Sequence, residues 1–97
     1  MVHVARANRF TGAALVAPVY VDRYLVGRLG PGGKITTPVP VGEVHITSTA
    51  SDAVINAERG AEYFFEVIGR FEPWILNTPP FDITSISRER ATELGVE

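Results

Sequence analysis

The stretch AEYFFEVIG, residues 61–69, decides the fold. Strand alternation places Ala61, Tyr63, Phe65 and Val67 on one face and Glu62, Phe64, Glu66 and Ile68 on the other. The first set reads as core and the second as a hydrated face, with Glu62 and Glu66 serving solubility and edge protection. EVHITST (43–49) sorts in the same way: Val44, Ile46 and Ser48 turn inward, and Glu43, His45, Thr47 and Thr49 outward. Strands with one wet face belong in antiparallel sheets, because parallel pairing calls for helical crossovers that this sequence has no residues to build.

Outward from these two segments, short runs of Val, Ile, Thr, Tyr and Phe alternate with Gly and Pro punctuation every eight to twelve residues or so. The pattern predicts strands near 2–6, 17–22, 25–29, 33–39, 43–50, 53–58, 61–69 and 81–87, giving an all-β antiparallel sandwich of seven to eight strands. Only the tail, SRERATELG (87–95), reads as helix. Ser87 can cap its first turn, Glu89 suits the positive end of the dipole, and Gly95 suits the exit.

The 97 residues allow a single domain spanning 1–97. A hydrophobic fraction of 45% against 21% charged is globular, and a net charge of -2 with scattered basic residues offers no footprint for nucleic acid. Without cysteine there is neither a disulfide nor a thiolate metal site. No apolar run approaches the roughly 20 residues that span a bilayer, so no transmembrane segment is expected. The start, MVHVARANRF, lacks the pattern of a signal peptide.

Candidate chemistry is sparse. His3 and His45 are the only histidines, too few for a metal centre of three matched protein ligands. Ser48, Ser51, His45 and Asp52 crowd one segment but have no nucleophile-elbow context, and Glu62 and Glu66 have no evident reason for a raised pKa. GPGGK (30–34) lacks P-loop spacing and leads into a strand, so it reads as a turn. Neither a catalytic set nor a cofactor is expected.

Apolar surface is more informative. In FEPWILNTPP (71–80), prolines exclude a central strand, yet Phe71, Trp74, Ile75 and Leu76 expose too much apolar area to stay in water. This plug either closes one end of the sandwich or docks on another chain, making those four residues the candidate partner-binding set and a homo-oligomer the expected assembly. Tyr20, Tyr24 and Phe64 fall on or near the outward register beside Arg23 and Arg28. They form a candidate surface for a carbohydrate or lipid head group, unless the 70–80 segment covers them.

PVYVDRYLVGRL (18–29), PVGEVHITS (40–48) and RGAEYFFEV (59–67) together carry a resemblance. They resemble a bacterial family of small, often lipoprotein-borne β-sandwich domains of unknown function, similar in pattern to PEGA-type carbohydrate-envelope modules. The matching positions are Val19, Tyr20, Val21 and Asp22, then Val26, Gly27, Arg28 and Leu29, then Gly42, then Gly60, Tyr63 and Phe64. RFTGAAL (9–15) is similar to the stretch that often precedes this run. The resemblance implies a prealbumin- or immunoglobulin-like sandwich, a cell-envelope or periplasmic setting and no catalytic residues. Arg23 replaces the family's turn glycine, so this hairpin is expected either to be remodelled or to hold a strained turn at about 1 kcal/mol. The family's Pro-Gly is stretched to Pro40-Val41-Gly42, consistent with a shift or a bulge.

Overall fold

The computed structural model describes residues 1–7, 16–69 and 81–96. Its elements are β1 (Val2–Arg6), β2 (Ala17–Val21), β3 (Tyr24–Leu29), β4 (Lys34–Thr37), β5 (Gly42–Thr47), β6 (Asp52–Ala57), β7 (Tyr63–Gly69), β8 (Phe81–Ser85) and α1 (Arg88–Glu93). They form two four-stranded sheets, ordered β4-β1-β7-β8 and β3-β2-β5-β6. Inward residues of both sheets, among them Val2, Val4, Val19, Leu29, Val44, Ile46, Phe65, Val67, Phe81 and Ile83, make one core. This is the all-β sandwich with a short C-terminal helix that alternation predicts. Phe71, Trp74, Ile75, Leu76 and the 9–15 stretch lie outside the described residues.

The structure corrects two details. β1 pairs with β7 in parallel, Val4 opposite Phe65, while the other strand pairings are antiparallel. A parallel pair requires a long connection, and here the strands of the other sheet lie within that connection where a helix usually serves. The second correction concerns the outer face of β7, which is not hydrated. α1 packs across it, so Phe64 is 8% and Glu66 only 4% exposed, and Ala5, Phe64, Ala91 and Val96 form a second, smaller core.

Ser87 caps α1 by accepting from the Arg90 N–H, with Glu89 in the first turn and Gly95 at φ +93° beyond the end. GPGGK is a tight turn: the Gly33 N–H donates to the Gly30 carbonyl and the Gly32 N–H to that of Arg6. These two N–H groups are thereby engaged within the fold, which agrees with the turn reading. Gly42 opens β5 at φ +114°, and the β5–β6 register then runs without a break.

The β2–β3 hairpin keeps the left-handed turn despite lacking its glycine. Asp22 lies at φ 48° and Arg23 at φ 75°, the primed two-residue geometry that matches strand twist. Asp22 holds it in place: its N–H donates to the His45 carbonyl, and its Oδ1 accepts from the His45 N–H, both at 2.9 Å. Arg23→Gly should therefore raise stability by about 1 kcal/mol. An unchanged or lowered urea midpoint would show that Arg23 carries no strain.

Candidate functional site

The two outer faces of the sandwich differ. On the α1 side, β1 contributes His3, whose Nδ1 lies 2.9 Å from Thr36 Oγ1 and whose Nε2 lies 3.0 Å from Glu62 Oε1. Arg88 reaches the second oxygen of Glu62 at 3.1 Å. The Phe64 ring stacks on the His3 imidazole at 5.0 Å between centroids, and the Arg88 guanidinium lies 4.9 Å over that same ring. Arg90 grips the buried Glu66 through two bonds, 3.2 and 3.0 Å, and also pairs with Glu93.

Thr36, His3 and Glu62 thus form a hydroxyl–imidazole–carboxylate chain that sequence inspection misses, because its members are scattered over sixty residues. Its chemistry is that of a clamp. The imidazole is fixed at both nitrogens and against a ring, while Arg88 neutralises the carboxylate, so the chain ties α1 to β1, β4 and the start of β7. A readable signal did exist: two glutamates on one strand face, 62 and 66, complement Arg88 and Arg90 on the helix.

The clamp has a pH signature. The His3 hydrogen bond first, and the Arg88 bond second, hold the Glu62 carboxyl below its ordinary 4.5. A depressed folded-state pKa contributes stability that is complete above the ordinary value and is lost as pH falls through the folded one. The melting temperature should accordingly drop in acid below about pH 4.5, and Glu62→Gln should flatten that limb. Parallel acid limbs for the two proteins would remove Glu62 from the account.

The other outer face, on the β3-β2-β5-β6 sheet, carries an open depression of about 320 Å³ lined by Tyr20, Asp22, Arg23, His45 and Thr47. β2 alternation turns Tyr20 outward between buried Val19 and Val21, and pairing sets it beside Thr47 on one side and Leu25 on the other. His45 bonds Glu43 Oε1 through Nε2 at 3.0 Å and lies 3.8 Å from Asp52 through Nδ1. The Glu43 hydrogen bond raises the His45 pKa above the ordinary 6.5, the charges of Glu43, Asp22 and Asp52 add to it, and desolvation opposes it. The depression thus combines one aromatic ring with hydrogen-bonding groups of both signs.

The three residues expected to make a ligand platform do not come together. Tyr20 lines the depression. Tyr24 pairs with inward-facing Val21, which puts it on the opposite register at the strand end, 78% exposed. Phe64 belongs to the other sheet and lies beneath α1. A bulge at Val19/Tyr20 and the burial of both faces of β7 separate positions that alternation alone puts on one surface.

Among the described residues no group of three or more His, Asp or Glu is arranged to hold a metal ion, and no helix is long and apolar enough to cross a membrane. The serine set also disperses: Ser48 Oγ donates to the Pro18 carbonyl at 2.8 Å, and Ser51 Oγ accepts from the Ile83 N–H at 2.9 Å. The chain matches no family model, no curated protein and no solved structure.

Proposed function

We propose that this chain is a non-catalytic binding and assembly module that works through protein–protein contacts on the outer face of the β3-β2-β5-β6 sheet. The observation that carries the reading is the asymmetry of the sandwich: one outer face is closed by α1 and its ion pairs, while the other stays open around Tyr20 and His45. Both imidazoles are engaged with carboxylates in supporting roles, which favours recognition over turnover. The envelope or periplasmic setting rests on the resemblance carried by residues 18–67.

Amide chemical shifts followed over a dilution series of the full chain provide the test. Concentration-dependent shifts confined to β2, β5 and β6 are the expected outcome. Shifts centred on α1, or none, would overturn self-assembly through this face. A second reading, a small carbohydrate or lipid head group, is favoured by the ring of Tyr20 standing beside Asp22, Arg23 and Thr47, the mixture by which aromatic and polar groups hold sugars. Titration with envelope oligosaccharides should then shift Tyr20, His45 and Thr47, and Tyr20→Ala should abolish the effect.

A further inference from the structure

Each sheet has two edges, and an edge strand offers unpaired N–H and C=O groups to any other chain unless something blunts it. Three of the four edges are blunted. β4 has only four residues, begins with Lys34 and runs into Pro38 and Pro40. β8 is covered by the β5–β6 connection: the Phe81 N–H donates to Thr49 Oγ1, the Ile83 N–H to Ser51 Oγ, and the Phe81 carbonyl accepts from Ala50. β3 is distorted by the bulge and carries Arg28. β6, DAVINA, has six residues, no proline, no bulge and one charge, at its first position.

The direction of its peptide groups follows from β5. The N–H and C=O of His45 bond Asp22, on the side away from β6. Val54, which stands opposite His45, therefore belongs to a non-hydrogen-bonded pair, and its own peptide groups point away from β5. Two-residue alternation gives Asp52 and Asn56 the same direction. Their side chains lie with that of Val54, itself 54% exposed, on the open outer face.

We infer that β6 pairs antiparallel with β6 of a second copy of this chain, about a two-fold axis at Val54. This inference rests on the assembly reading above and names its surface. The register is self-complementary. With Val54 on the axis, Asp52 faces the second copy's Asn56 and the reverse, so a carboxylate meets an amide donor at both ends, and each opposed pair exchanges two N–H···O bonds. Moving the axis to Ile55 would set Asp52 against Glu58, which like charge disfavours. Ala53 and Ile55, partly buried against the core, would face each other beneath.

In-sheet pairing of this kind has its axis perpendicular to the sheet, so the two Tyr20–His45 depressions open on the same side of a continuous eight-stranded surface. A partner with two matching epitopes would gain avidity from that arrangement.

Light scattering on the full chain should give twice the chain mass. Val54→Lys sets two like charges at the axis and should halve that mass while leaving the melting temperature of the monomer unchanged. The chain has no cysteine of its own, so Val54→Cys is a clean probe. Paired residues at about 5.5 Å between Cα atoms are within disulfide reach, and this variant should cross-link under mild oxidation, whereas Val41→Cys, equally exposed to solvent, should not. A monomeric wild type, a dimer that survives Val54→Lys, or equal cross-linking of the two cysteine variants would overturn the pairing. A surviving dimer whose dilution shifts still fall on β2 and β5 would leave the assembly reading standing without this edge, whereas shifts on α1 would remove both.

Discussion

Phe65→Ala should cost about 3–5 kcal/mol, enough to unfold much of the population of a domain whose whole stability is of the order of 5–15 kcal/mol. Phe65 is among the largest fully buried side chains. It stands at the centre of the sandwich between Val4 of β1 and Ser85 of β8, and it packs with residues from both sheets. Truncation leaves a ring-sized void that neighbours anchored in two ladders cannot close. Equilibrium urea unfolding measures the loss. A shift below about 1 kcal/mol would mean that the sheets approach each other to fill the gap, contrary to the packing described.

The adjacent substitution, Phe64→Ala, should produce a different failure of similar size, about 3 kcal/mol. Phe64 faces the other way, into the small core with Ala5, Ala91 and Val96, between His3 and Arg88. Its loss removes the apolar seat of α1, and a helix of six residues has little stability of its own. We expect helical circular dichroism and the amide protection of 88–93 to disappear while protection in β2, β5 and β6 persists. Loss of protection throughout the molecule would show instead that helix and sandwich unfold as one unit.

These neighbouring phenylalanines also mark where the sequence is legible. Alternation in 61–69 places Phe65 in the core correctly, and the same rule finds Val44, Ile46 and Ser48 inward, because period-two burial is a local property of a strand that packs on one side. Gly and Pro punctuation locates all eight strands, and Ser87 and Gly95 bracket the helix, since caps and turns act over a few residues. The covered outer face of β7 is not legible in this way. Alternation reports that Phe64 and Glu66 oppose Phe65, but it carries no record of what α1 will lay over them.

The candidate site is less legible for the same reason. Tyr20 was recognisable as an outward aromatic, but its neighbours in the depression come from the hairpin turn and from β5, and a one-residue bulge removes Tyr24 from the group. His45 was identifiable as an outward strand residue between Glu43 and Thr47. Its tie to Asp22 depends on the left-handed turn at Asp22–Arg23, which the sequence, lacking the usual glycine, argues against.

The parallel contact between β1 and β7 has a consequence in time. β1 lies inside its sheet, bonded on one side to β4 and on the other to β7, yet it is synthesised long before either. While the hairpins of the other sheet close between near neighbours, β1 waits for Phe64 and Phe65 to emerge before its second ladder can form. Long-range pairings of this sort are slow to close, so the rate-limiting event of folding is expected to be the capture of β1 between two later strands. Until then Val2 and Val4 remain open to misplaced partners, and a chaperone that shields them would act most usefully on this first strand.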